Sequence, residues 1–572
     1  MEKSLKKWQI AQLLTPEADK SLSNFPQPLR QILFNRGYST EESALNFLGA
    51  TPPPGSKPEN LLGMGEAVSR ITSAISNNEK IAVYGDYDAD GVTATALMVQ
   101  VLNALDADIE GYIPNRFDEG YGLNNDALEF LKDRGVNLVV TVDCGVRSLD
   151  EANHAKNLGI DLIITDHHHP LEELPEVISV INPKQSDDRY PDKNLAGVGL
   201  AFKLALALLE NERNGVSVRA NSFNEIDLLD LVALGTVADL APLVQENRNL
   251  VRSGMDAIRK PRRQGLQALI GVCGLVPRRI KASDIGYVLG PRLNAAGRLD
   301  SALAAYDLLT TQNIHEAGRL AQQLDNQNRE RQKITREIQD RAELIALAED
   351  PDALLLFAAD PEFNPGVVGL AASRLNERYY RPAIVAHIGD EFTRGSCRSI
   401  PEFHITNALD KCKDLIERHG GHAAAAGFTV RNENLPELVE NLRAIAFEEL
   451  SDKDLRKVMH ADLEIQLSDL IPEILEQLDL LQPTGYGNPQ ANFVSRELKV
   501  IDYRLVGRDG AHLKLIVSDG WITYDAIAFG QGYWQTEMPM FVDLMYTFEK
   551  NEFNGKENLQ LNVKDIKPSN ID

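Results

Sequence analysis

The sequence predicts an α/β protein: a parallel-sheet domain, long connecting helices, a smaller α/β domain and a C-terminal β-barrel. Three observations carry this. Between residues 81 and 182, short apolar runs alternate with amphipathic stretches of helix length. Residues 302–349 hold no proline and a single glycine, Gly318. After about residue 455, strand-like runs recur between Gly, Asp and Asn turns.

Taken in order, residues 1–60 read as an N-terminal helical segment. It ends at TPPPGSKP (51–58), whose prolines and glycine break helices. The first large domain is assigned to 61–301. It runs IAVY (81–84), a helix near 92–106, DIEGYIP (108–114), a helix near 124–134, NLVVTVD (137–143), a helix near 149–158, DLIITD (161–166) and VISVIN (177–182). Apolar strands separated by helices imply βαβ units and a parallel sheet covered on both faces. The charge-dense run 302–349 reads as one or two connecting helices. Mixed α/β returns over 350–452, with LLLFAA, AIVAHI and a Gly/Ala cluster at 420–427. Residues 453–572 carry VSRELKVIDYRLV, HLKLIVSD, WITYDAIAFG, MFVDLMYTF and LQLNVKDI. Such strands predict a small barrel, and the OB-fold is the commonest nucleic-acid-binding version. Among its aromatics (Trp521, Tyr524, Phe529, Trp534), one or two are expected to face a DNA strand and the rest to be core.

At roughly 150 residues per domain, 572 residues make three or four domains. A 43% hydrophobic and 25% charged composition is that of a soluble chain with real cores. Cys144, Cys273, Cys397 and Cys412 are far apart, which excludes a disulfide framework or zinc ribbon and fits a reducing cytoplasm. No signal peptide is evident, and no run reaches the roughly 20 apolar residues of a membrane span. The net charge of −25 argues mildly against nucleic acid. Basic residues nonetheless cluster at Arg262/Arg263, at Arg278/Arg279/Lys281 and along Arg329–Arg336.

The chemistry begins at Asp86-Tyr-Asp88-Ala-Asp90-Gly91. Alternate carboxylates before a glycine resemble half an EF-hand loop, but the twelfth position, which should be Glu, is Leu97. The motif instead follows a strand and opens a helix, at the strand end where α/β sheets bind ligands. Strand 140–143 ends in Asp143, and strand 163–166 ends in Asp166 and runs into His167 and His168. Asp239 ends the apolar run LGTVAD before Pro242. Carboxylates brought this close repel unless a cation lies between them. With imidazole they suit Mn²⁺, Mg²⁺ or Zn²⁺. Six or more hard ligands exceed one ion, and two ions form the usual apparatus for in-line attack on phosphorus. Arg292 and Arg298 flank LNAAG, whose small residues admit a close backbone approach. GGHAAAAG (420–427) reads either as tight helix packing or as a phosphate pocket built around His422.

DYDADG, VTVDCG, TDHH and GTVADLAPL, in this order, resemble the motifs of the DHH phosphoesterase superfamily. IPNRFDEGYGLN (113–124), AGVGLAFK (196–203), GPRLNAAGRLD (290–300), LDNQNRERQ (324–332), GSCRS (395–399), GGHAAAAG, PTGYGNPQANF (483–493) and HLKL (512–515) narrow the resemblance to its RecJ family. The resemblance covers nearly the whole chain. It implies a DHH catalytic domain, a DHHA1 domain and an OB domain. The implied activity is metal-dependent degradation of single-stranded DNA, 5′→3′, to mononucleotides, in DNA repair and recombination. It implies two divalent cations, Mn²⁺ or Mg²⁺, on Asp88, Asp90, Asp143, His167 and Asp239, with Asp143 bridging. Asp86, Asp166 and His168 take catalytic positions; Asp86 suits a ligand, a partner that supports a ligand or a general acid/base, and Asp166 is equally suited to orienting His167 or the strand end. Arg116, Arg292, Asn294, Arg298, Ser396, Arg398, Gly421 and His422 fall at DNA-binding positions. Beyond DNA, the resemblance points to a single-strand-binding protein and a helicase as partners, and a monomer is expected. Two departures stand out: Asn364 replaces the usual His before GVVG, and Gln490 replaces an acid. Related nano-RNases and cyclic-dinucleotide phosphodiesterases are shorter and lack the barrel. Non-catalytic replication scaffolds of the superfamily have lost ligands that are all filled here.

Overall fold

A computed structural model of the chain describes residues 6–115, 122–214, 218–299, 301–348, 350–553 and 556–569. It divides into two compact units. The larger comprises 8–297, 301–322 and 458–572; the smaller comprises 323–457 with 1–7 and 298–300. Among the described residues, no helix is long and apolar enough to cross a membrane.

At the centre of the larger unit lies a five-stranded sheet, parallel throughout. Its spatial order is Asp108–Tyr112, Lys80–Gly85, Val136–Val142, Asp161–Thr165, Ser179–Ile181. The helices Ala89–Ala104, Asn125–Asp133 and Leu149–Leu158 make the crossovers that parallel pairing requires. Register then decides the chemistry. Gly85 pairs with Val142, Val142 with Thr165 and Thr165 with Ile181. Four strands therefore stop level with one another, and the next residues are Asp86, Asp143, Asp166 and Asn182. Helix Ala89–Ala104 is buried along nearly its whole length and packs against Gly197–Asn214 and Leu229–Ala238.

Five long strands of the same unit close a C-terminal barrel: Phe493–Val506, His512–Ser518, Thr523–Ala528, Lys556–Pro568 and Phe541–Phe553, the last pairing back to the first. Strand His512–Ser518 alternates buried and half-exposed side chains, as a barrel wall must. The N-terminal segment has no core of its own. Leu29, Ile32, Leu33 and Phe47 share one cluster with Phe493, Leu513, Leu515 and Tyr546 of the barrel. Nor is it wholly helical: Lys7–Ile10 is a strand paired with Val458–Ala461. Arg248 ties these parts to helix Gln245–Arg259. Its guanidinium donates to the carbonyls of Phe47, Leu480, Leu481, Gln482 and Pro483, and stacks 4.1 Å from the Phe47 ring.

The smaller unit holds a mixed sheet ordered Ile416–His422, Ala425–Arg431, Phe392–Arg398, Ala383–Ile388, Leu356–Asp360. Residues 302–349 contain two helices, Leu303–Thr310 and Ile314–Ala348. In the smaller unit, Ile338, Ala342 and Ala346 of the long helix pack on Val368, Ala371 and Leu375.

Candidate metal centre

Seven of the predicted ligands and catalytic groups gather in three overlapping clusters at the aligned strand ends. These are Asp86, Asp88 and Asp143; Asp90, His167 and Asp239; and Asp143, His167 and His168. Within each, the ligand atoms lie within 4.8 Å of one another. Asp143 and His167 each belong to two clusters.

Local structure explains how each side chain arrives. Asp88 is the N-cap of helix Ala89–Ala104, and its Oδ1 accepts from the N–H groups of Asp90 and Gly91. Asp90, fully buried, accepts from Gly197 N–H at 2.7 Å and Val198 N–H at 2.9 Å, the first amides of helix Gly197–Asn214. Asp143 leaves its strand with φ +66°, a left-handed turn that Asp tolerates better than most residues. Asp239 ends helix Leu229–Ala238. The segment after it is held by the barrel unit's PTGYGN turn, with Leu243 N–H donating to the Tyr486 carbonyl at 2.7 Å.

Asp166 is absent from the clusters because both its oxygens are occupied. Oδ1 accepts from the backbone N–H of His168 and lies 2.7 Å from its Nδ1, and Oδ2 accepts from Val146 N–H. Its contacts are those that hold the His168 ring and backbone in place. The His-His loop is braced further by two residues that motif reading missed. Asn182 donates to the His168 carbonyl at 2.8 Å, and Lys184 Nζ donates to the His167 carbonyl. The signal for Asn182 was available: like Asp143, it is a polar residue directly after a buried parallel strand. Gly197 and Gly235 were missed as well. A Cβ on Gly197 would lie 2.7 Å from Asp143 Oδ1, and one on Gly235 would lie 2.7 Å from Asp90 Oδ1.

The electrostatics follow from packing carboxylates together out of water. Burial, then the Asp88 charge, pushes Asp90 up to about 7. Burial, then Asp90 and Asp88, pushes Asp239 up to about 9. Asp143 is raised well above the carboxylate range by burial and the surrounding aspartates. His167 is driven down to about 3, chiefly by burial, so its imidazole is neutral. His168 moves the other way. Burial opposes its charge, but the Asp166 hydrogen bond and charge outweigh it and raise the imidazole above its usual value.

These residues fit divalent cations on two counts. Carboxylate oxygens with neutral imidazole suit Mn²⁺ or Mg²⁺. In addition, Asp143 Oδ1 and His167 Nε2 are buried without hydrogen-bond partners while facing each other at 3.1 Å. Two buried acceptor atoms so placed are costly unless a cation satisfies both.

The predicted DNA-binding residues divide between the units. Arg116 lies outside the described residues. In the larger unit, residues 290–297 of helix Gly290–Leu299 pack on the acidic loop, and a Cβ on Gly297 would lie 2.7 Å from the Tyr87 carbonyl. Asn294 Oδ1 accepts from Ala89 N–H at 2.7 Å, so it holds the loop that carries Asp88. Arg292 donates to the Val288 carbonyl inside the π-helical turn Ile285–Leu289. In the smaller unit, Arg298 lies 3.5 Å from the Gly366 carbonyl, and Arg398 donates to Cys397 O and Ser396 Oγ. The Asn364 side chain accepts from Gly366 N–H and shapes the turn before GVVG. GGHAAAAG forms the end of a β-hairpin, on which helix Ile405–Lys411 starts: Ile405 N–H donates to the Ala423 carbonyl and Thr406 Oγ1 to the His422 carbonyl. Gly421 sits at φ +143°, where a Cβ would lie 2.4 Å from the Ala425 carbonyl, and His422 is exposed. Of the barrel aromatics, Tyr524 and Trp534 are core, while Trp521 and Phe529 are exposed.

Comparison with known proteins matches the same segments. The model of the DHH family, N-terminal domain, matches residues 80–236; the DHHA1 domain matches 352–448; the RecJ OB domain matches 461–565. The single-stranded-DNA-specific exonuclease RecJ of Bacillus subtilis is 39% identical over 98% of this chain and 70% of its own length. That of Salmonella typhimurium is 37% identical over 98% of this chain and 100% of its own. The crystal structure of Thermus thermophilus RecJ in complex with Mn²⁺ superposes with TM-score 0.85 at 29% identity, covering 100% of this chain and 81% of that one. By these similarities along its whole length, the chain belongs to the RecJ family of DHH/DHHA1 proteins.

Proposed function

We propose that the chain is a metal-dependent exonuclease that degrades single-stranded DNA from the 5′ end to mononucleotides, in DNA repair and recombination. The observation that carries the chemistry is the shared pair Asp143 and His167, common to two ligand clusters at one sheet edge. Asp88, Asp90, Asp143, His167 and Asp239 would hold two cations, Mn²⁺ or Mg²⁺. When bound, such cations lower the pKa of an attacking water and neutralise charge at phosphorus.

The chain's own groups do the rest. Asp166 fixes the His168 ring and favours its protonated form, which would donate to a phosphate oxygen. Asn182 and Lys184 keep both histidines from swinging away. Arg116, Arg292, Arg298, Ser396, Arg398, Gly421 and His422 supply donors for the DNA phosphates. Asn294 acts one step back, by holding the Asp88 loop. The reading places the protein in the cytoplasm, as a monomer working with a single-strand-binding protein and a helicase.

Digestion of 5′- and 3′-labelled single strands and blunt duplex, with Mn²⁺, with Mg²⁺ and with chelator, tests this. Mononucleotides should leave the 5′ end of single strands, and chelator should stop the reaction. Release from the 3′ end, or equal attack on duplex, would overturn the reading.

A further inference from the structure

Between the barrel and residues 26–28 and 463–477 lies a groove of about 1200 Å³. Trp521 projects at its edge, 92% exposed, and Ile471 is half-exposed beside it. The backbone turn that carries the tryptophan is pinned. Asp519 accepts from the N–H groups of Trp521 and Ile522, and also from Ser468 across the groove. An exposed aromatic on a pinned turn loses little entropy when covered, which is the property of an interface anchor.

The groove's charge decides what can cover it. Glu464, Asp469, Glu497 and Asp519 line it against a single cation, Arg496, which is already paired with Glu464 and Asp543. Among the described residues, neither Glu497 nor Asp469 has a basic partner. Glu497 is also placed there at a cost. Strand Phe493–Val506 bulges between Ser495 and Leu498, and Glu497 adopts φ +55°. Bulges re-aim side chains, and left-handed backbone at a non-glycine residue is retained where something depends on it. A DNA strand would bring phosphates against these carboxylates, so base stacking on Trp521 is disfavoured.

We propose that this groove docks a basic segment of a partner protein, with an aliphatic or aromatic side chain covering Trp521 and Ile471 and lysine or arginine meeting Glu497 and Asp469. It is a protein-docking surface on the OB domain, separate from the DNA path.

Trp521 is its own reporter, because the other two tryptophans, Trp8 and Trp534, are half-buried and buried. The full-length chain is titrated with a short Lys/Leu peptide, its Glu/Leu counterpart and oligo-dT, following tryptophan emission. The Lys/Leu peptide should shift emission saturably and the other two should not. Glu497→Lys, and separately Asp469→Asn with Glu497→Gln, should weaken peptide binding about tenfold. Glu433→Lys, an exposed acid elsewhere, should not. Single-strand digestion by Glu497→Lys should be unchanged, which also shows that the variant is folded. Equal peptide binding by all variants would overturn the proposal. An emission shift with oligo-dT that competes with the peptide would assign the surface to DNA instead.

Discussion

His167 Nε2 lies 3.1 Å from Asp143 Oδ1, and both atoms are buried without a hydrogen bond. Asp143→Ala should therefore lower single-strand hydrolysis by at least about 10²–10³-fold. Binding of a single strand, measured by anisotropy, should persist. A variant with near-normal turnover would refute the ligand assignment.

The raised acids make the cation-free protein sensitive to pH. Asp90 and Asp239 hold their protons up to about 7 and about 9, whereas unfolded carboxyls release theirs near pH 4. Between those limits the folded state binds more protons than the unfolded state, so stability falls as pH rises. With chelator, Asp239→Asn should melt above the wild type, by a margin that widens from pH 5 to about pH 9. Saturating Mn²⁺ should reverse the order. A margin independent of pH would contradict the electrostatic account.

Asp166 Oδ1 holds both the backbone N–H and the ring Nδ1 of His168. Asp166→Asn is expected to lower kcat by about 10–100-fold, the usual cost of losing an orienting partner, with KM for DNA little changed. The pH–rate profile should also move, because the His168 proton loses its carboxylate. An unshifted profile would reduce Asp166 to a structural role.

Gly197 leaves room for the Asp143 carboxylate. A methyl group there would meet Asp143 Cβ at 2.6 Å and Oδ1 at 2.7 Å. Gly197→Ala should cost about 1–3 kcal/mol by overpacking and weaken Mn²⁺ binding in calorimetry. Gly199→Ala, two residues on and with only ordinary contacts near its Cβ, is the control.

Arg248 donates to five backbone carbonyls inside the larger unit and, among the described residues, forms no ion pair with a carboxylate. Arg248→Met should lower stability by about 3 kcal/mol or more, since it strands buried acceptors. Arg248→Lys should not rescue it, because an ammonium cannot span the same fork. Chemical denaturation of the two variants checks both statements.

The sequence by itself determined which residues gather as candidate ligands at one sheet edge. Apolar strands of buried type, each ending in Asp or running into His-His, signal one ligand-bearing sheet edge, because consecutive βαβ units point their strand ends the same way. It likewise determined the barrel, whose strand runs and turn residues are local signals. Tertiary structure alone decided the rest. Register brought Asp86, Asp143, Asp166 and Asn182 level, while local hydrogen bonds to His168 and Val146 set Asp166 apart from the aspartates of the ligand clusters. Packing decided that Asn294 braces the acidic loop, that the N-terminal helices complete the barrel core, and that Trp521 stands among carboxylates. Each of these rests on contacts between residues far apart in the chain, whereas periodicity and motif spacing report only on near neighbours.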